Sequence, residues 1–130
     1  MTPQPNIPAL PPQSAQRFRT DDLDEVGEFV ARFSGHHSRV VHGTGPLGFE
    51  QAWLTGASVM AGWVRTGLAT TVRGAVRQPT LHIALSGGAE YRFGRRRLSN
   101  SPGTTTFVPP GWEYTVDRQP GAAFALAFSH

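Results

Sequence analysis

Between Ser101 and Tyr114 the chain reads Ser-Pro-Gly-Thr-Thr-Thr-Phe-Val-Pro-Pro-Gly-Trp-Glu-Tyr, and this stretch restricts the fold more than any other. Thr104 to Val108 is β-branched and aromatic, the composition of a short strand. Pro109 and Pro110 donate no ladder hydrogen bond, so the strand stops there. Gly103 and Gly111 are free to take the positive φ values that re-aim a chain at either end of a strand. Trp112 to Val116 then opens the next strand.

The same grammar runs through most of the sequence. From Val40 onward the apolar period is two, and short strands are predicted over Val40-Val41, Phe49 to Leu54, Ser58 to Val64, Leu68 to Arg73, Thr80 to Leu85, Glu90 to Phe93, Thr104 to Val108, Tyr114 to Val116 and Phe124 to Phe128. Turn residues separate them, among them Gly43 to Gly45, Gly87-Gly88 and Pro120-Gly121. With 15 glycines and 11 prolines in 130 residues, this is one mainly β domain of the sandwich or barrel kind.

One segment keeps the helical period. Leu23, Val26, Phe29, Val30 and Phe33 form an apolar stripe, and a helix is predicted over Phe18 to Phe33. Thr20 or Asp22 serves as N-cap, with Glu25 as a capping-box partner, and Gly35 ends the helix. Residues 1–16 carry Pro3, Pro5, Pro8, Pro11 and Pro12 with few apolar anchors, and read as a disordered tail.

Charge excludes some roles. The net charge is +3 and all 12 basic residues are arginine. The acids gather at Asp21 to Glu28 in the first turns of the helix, where its dipole favours them. The arginines are scattered, so no basic face for nucleic acid forms. Arg95 to Arg97 read as a solvated hairpin tip, with Arg97 pairing across the ladder. Without cysteine there is no disulfide and no thiolate metal site. No apolar run approaches the roughly 20 residues that span a bilayer, and no secretory signal is visible. A cytoplasmic protein with no membrane partner is expected.

The helix opening Phe18 to Val26, the strand and turn Leu-His-Ile-Ala-Leu-Ser-Gly-Gly over Leu81 to Gly88, and the Gly103 to Gly111 corner together resemble the N-terminal effector domain of AraC/XylS-family transcription regulators. The resemblance covers about residues 17 to 128, and its Leu81 to Gly111 part is the more specific. It implies a cupin-like jelly-roll barrel with one N-terminal α-helix packed on it, an effector-binding domain over residues 17–130. It implies a homodimer that senses a small molecule, and the aromatic residues and Arg73 named below suit an aromatic or carboxylate-bearing one. DNA would be bound only through a C-terminal helix-turn-helix half, which this chain lacks. The strand-like end at Ala122 to Phe128, with no closing helix, is expected to be a division point within a longer protein.

Metal-dependent cupins carry two histidines one residue apart, a carboxylate, and a later histidine after the corner. Here Thr80 and His82 hold the paired positions, Ser86 and Gly87 stand where the carboxylate is needed, and Tyr114 takes the late position. One ligand of four does not hold a metal. No metal and no cofactor is expected. His36, His37 and His42 read as surface residues. No serine lies in a nucleophile-elbow pattern, so no catalytic residue is assigned and the chain is expected not to be an enzyme. The candidate ligand-binding residues are Trp63, Arg73, His82, Phe93, Trp112 and Tyr114, aromatic walls with a few polar groups. Trp63 and Trp112 are expected to wall the cavity, with Arg73 or Tyr114 at its mouth. Two other readings stay open: a stand-alone small cupin enzyme with a degenerate metal site, and a purely structural dimerisation domain with a filled barrel.

Overall fold

Asp22 decides where the helix starts. Its backbone is extended at φ −94° and ψ 117°, and its side chain accepts a hydrogen bond from the Asp24 amide at 2.9 Å. Thr20 Oγ1 accepts from the Asp22 amide and donates to Glu25 Oε2, which ties the last residue of the preceding strand to the first helical turn. The computed structural model describes residues 15–128. In it the helix α1 spans Leu23–Ser34, and Phe18 belongs to a strand, β1 (Ala15–Thr20). The predicted start at Phe18 is therefore five residues early: Phe18 is apolar in both periods, and the cap is what separates them. The Pro-rich tail lies outside the described residues except for Ala15 and Gln16. These two pair with Leu54 and Trp53, so order begins before residue 17.

Ten further strands follow: β2 (His37–His42), β3 (Phe49–Thr55), β4 (Val59–Thr66), β5 (Ala69–Gly74), β6 (Thr80–Ala84), β7 (Ala89–Phe93), β8 (Arg96–Asn100), β9 (Thr105–Val108), β10 (Tyr114–Arg118) and β11 (Gly121–Phe128). They form two antiparallel sheets, one ordered β1-β3-β4-β11-β6-β9 and the other β2-β5-β10-β7-β8. The protein is a mainly β jelly roll with one helix among the described residues, as the sequence predicts. The apolar period does not predict β1 and β8, and β2 starts three residues earlier than its apolar pair. The arginine hairpin is the β7–β8 turn, with Arg97 Nη1 3.7 Å from Glu90 Oε1 across the ladder.

The core has two parts. Val72, Val76, Tyr91, Val108, Tyr114 and Val116 pack between the sheets. Val26 and Phe29 of the helix pack on Leu47, Phe49 and Trp53 and close one end of the barrel. Phe29 stacks on Phe18 at 4.1 Å and meets Trp53 edge-on at 4.9 Å.

The corner behaves as read. Gly103 and Gly111 have φ of +88° and +79°, and their amides donate to Ala84 O and Val76 O at 2.8 and 2.9 Å. A Cβ on Gly111 would meet nothing within 4 Å, so the cost of Gly111→Val is backbone strain, about 1–3 kcal/mol. Gly27 lies inside the helix, where a Cβ also meets nothing within 4 Å. Gly27→Ala is expected to stabilise by about 0.5–1 kcal/mol. Urea melts of the two variants check both signs; equal and negligible shifts would contradict the account.

Candidate ligand-binding site

Strand alternation builds the site. On β2 it turns His37, Arg39 and Val41 inward and Ser38, Val40 and His42 outward. On β10 it turns Tyr114, Val116 and Arg118 inward. Register then sets the rows: His37 and Tyr114 flank Gly74, and Arg39 and Val116 flank Val72. Gly74 is needed there for room, because a Cβ would come within 2.6 Å of the His37 ring. With that space free, His37 Nε2 reaches the Tyr114 hydroxyl at 3.1 Å.

The opposite wall comes from the other sheet. β6 points Thr80, His82 and Ala84 inward, and β11 lines the interior with Ala123, Ala125 and Ala127. Alanines at core positions leave space that larger residues would fill. The result is a cavity of about 160 Å³ inside the barrel, bordered by both sheets and by Leu23, Val26 and Val30 of the helix.

Polar groups converge on this space. His37 Nδ1 donates to Gly35 O at 2.8 Å, so Nε2 accepts the Tyr114 proton. Arg118 Nη2 donates to the Tyr91 oxygen at 3.1 Å, and the Tyr91 hydroxyl donates to His82 Nδ1 at 2.7 Å. The His82 proton therefore sits on Nε2, and no described residue accepts it. Burial, aided by the Arg118 charge, pushes His82 down to about 3, so the ring is neutral. Burial also lowers His37 and pushes Tyr114 up to about 12. Arg39 is lowered by burial too, yet a guanidinium stays charged at neutral pH. Its Nη1 is buried without a hydrogen-bond partner among the described residues.

Of the residues predicted for the site, His82 and Tyr114 line the cavity. Trp63 borders it, but the alternation that turns Val64 inward turns the Trp63 ring outward, where Arg17 and Arg65 lie over it at 5.9 and 5.5 Å. Arg73, Phe93 and Trp112 stand outside the lining. Arg73 faces solvent and pairs with Glu113 at 2.9 Å. Phe93 packs on the core between Tyr91 and Tyr114, and Trp112 is 56% exposed against its edge. Sequence reasoning misses Arg39, Tyr91 and Arg118, and it reads His37 as surface, whereas His37 is half-buried in the interior. The signal for Arg118 is its spacing of four from Tyr114, which keeps both on one strand face. Among the described residues no group of three His, Cys, Asp or Glu side chains is placed to hold a metal ion. No helix among them is long and apolar enough to cross a membrane.

No family model and no curated protein matches this sequence. Solved structures do. The AraC-like transcriptional activator CuxR is similar at a TM-score of 0.66 and 17% identity, over 87% of this chain and 46% of that one. An RmlC-like cupin from Shewanella frigidimarina is similar at a TM-score of 0.55 and 15% identity, over 72% of this chain and 86% of that one. KdgF from a Halomonas species is similar at a TM-score of 0.55 and 12% identity, over 70% and 86%. This chain thus spans less than half of the activator's length and most of each of the other two. By its sheets, its corner and these likenesses, the chain is a cupin-like jelly roll of the kind that the AraC-like activator also contains.

Proposed function

We propose that the chain is the ligand-sensing and oligomerisation domain of an AraC-type transcription regulator and binds a small molecule inside the barrel. The observation that carries this reading is the interior cavity of about 160 Å³, with polar groups aimed into it from both sheets. A purely structural barrel would be filled. An apolar cavity of about 150 Å³ is enough to admit benzene, which sets the scale of the ligand. The likeness to an AraC-like activator supports the regulatory setting, with DNA bound by another part of such a protein.

The oligomerisation reading rests on the outer face of the six-stranded sheet. Leu54, Ala61, Leu126, Leu81 and Phe107 are directly paired in one row across five strands, and Trp63, Phe124 and Ile83 form the next. Phe107 is 52% exposed at the edge of this face. A second copy of this chain covers it, as an apolar patch of that extent favours association.

The test is a thermal melt with small acids and their neutral amides. Binding raises Tm by the mass-action relation RT ln(1 + [L]/Kd), and Ala125→Leu, which fills the cavity, abolishes the shift without unfolding the protein. A shift that survives Ala125→Leu places binding elsewhere. The enzyme reading predicts stoichiometric Fe, Mn, Ni or Zn in the purified protein; the sensing reading predicts none. Sedimentation at micromolar concentration should show a dimer that Phe107→Asp and Leu126→Asp dissociate, and a monomeric wild type would remove the oligomerisation half.

A further inference from the structure

We infer that the barrel ligand is a small monocarboxylate, held by Arg39 and Arg118 on the inner face of the five-stranded sheet. The inference rests on the barrel cavity being the binding site and adds the charge of what enters it.

Among the described residues three arginines line the cavity and no Asp or Glu does. Arg77 is already used: its Nη2 donates to Ala31 O and Arg32 O at the end of the helix. The other two have no carboxylate partner among the described residues. There Arg118 bonds the Tyr91 hydroxyl and lies over that ring at 5.9 Å. Arg39 is more telling, because its Nη1 is buried and finds no hydrogen-bond partner among the described residues. A buried charged donor without a partner is costly, and two like charges that feel one another add to that cost. The acids that the fold does supply nearby are committed elsewhere. Asp117, beside Arg118 in sequence, points to the other face and pairs with Arg92 and Thr71.

The groups left open around the two arginines are donors: Arg39 Nη1, the remaining Arg118 nitrogens and His82 Nε2–H. An anion with planar, paired oxygens satisfies such a set best, since a guanidinium fork matches a carboxylate. Val72, Val116, Ala125 and Met60 give part of the remaining wall an apolar surface that suits a compact hydrocarbon body. Arg73, on the outside and paired with Glu113, has no part in this.

The experiment uses benzoate and butyrate against benzamide and butyramide, by calorimetry on the whole chain. Benzoate or butyrate is expected to bind at least tenfold more tightly than its amide. Arg39→Gln and Arg118→Gln each weaken the acid at least tenfold and leave the amide within about twofold. Arg39→Met is expected to raise the Tm of the ligand-free protein, because it removes a buried unpaired charge. A structural arginine would instead lower it. Equal binding of acid and amide, unchanged by either substitution, overturns the anion assignment and leaves the cavity as a site. Absence of binding by all four compounds, with Ala125→Leu also silent, overturns both.

Discussion

Between pH 6.5 and about 5 the folded protein is expected to lose stability steadily as acid is added, and His82→Asn to remove most of that loss. The physical reason is the cost of charging a buried imidazole. In the unfolded chain His82 takes a proton near its ordinary value of 6.5, whereas burial holds it down to about 3 in the fold. The unfolded state therefore binds more protons throughout that interval, so stability falls with falling pH and stops falling on this account below about 3. The slope contributed by one such group is at most about 1.4 kcal/mol per pH unit. His37, lowered in the same direction by burial, adds a smaller share. The asparagine amide keeps an acceptor for the Tyr91 hydroxyl and cannot titrate. Urea melts at pH 6.5 and 5.0 read the slope; equal slopes for wild type and His82→Asn would show that His82 is charged or solvated in the fold.

Phe29→Ala is expected to lower stability by about 3–5 kcal/mol, the range for an aromatic residue removed from a packed core. Phe29 is 7% exposed and lies between the Phe18 and Trp53 rings. No neighbour can close the gap, because Phe18 sits on β1 and Trp53 on β3, both fixed by their ladder. The helix also supplies Leu23, Val26 and Val30 to the cavity lining. Loosening it widens the binding site, so Phe29→Ala should weaken any barrel ligand as well as the fold. Chemical denaturation with an unchanged m-value and a midpoint shift below about 1 kcal/mol in equivalent energy would mean that the helix is not a lid on the barrel.

The fold was legible because its signals are local. Pro109, Pro110 and Gly111 stop and turn a strand by covalent geometry alone, whatever surrounds them. Asp22 caps the helix with its own side chain. The site was legible only in part, and for one reason. A strand whose inner face carries His37 and Arg39, beside outward Ser38 and Val40, inverts the usual order of polar outside and apolar inside. Read by that order, His37 goes to the surface, Arg39 drops out of the pattern, and β2 shrinks to its apolar pair Val40-Val41. The same inversion on β11, with Ala125 inside and Phe124 and Leu126 outside, hides both the cavity and the apolar outer face. Which face is inner depends on the pairing of β11 with β4 and β6, strands about 40 to 60 residues away in the chain. Trp63 borders the cavity, but by that one-residue parity its ring turns to the outer face. Arg73 was chosen for its charge, yet its pairing with Glu113 is set by a loop conformation that no period encodes.

The central claim is that space remains inside the barrel. Xenon under pressure enters apolar cavities of about this size and no packed core. Diffraction from xenon-pressurised crystals should show a xenon site bounded by Gly62, Val72 and Ala125 in the wild type, and none in Ala125→Leu. Side chains packed solid across that space, with no xenon in the wild-type barrel, would contradict the account and make the domain a structural one.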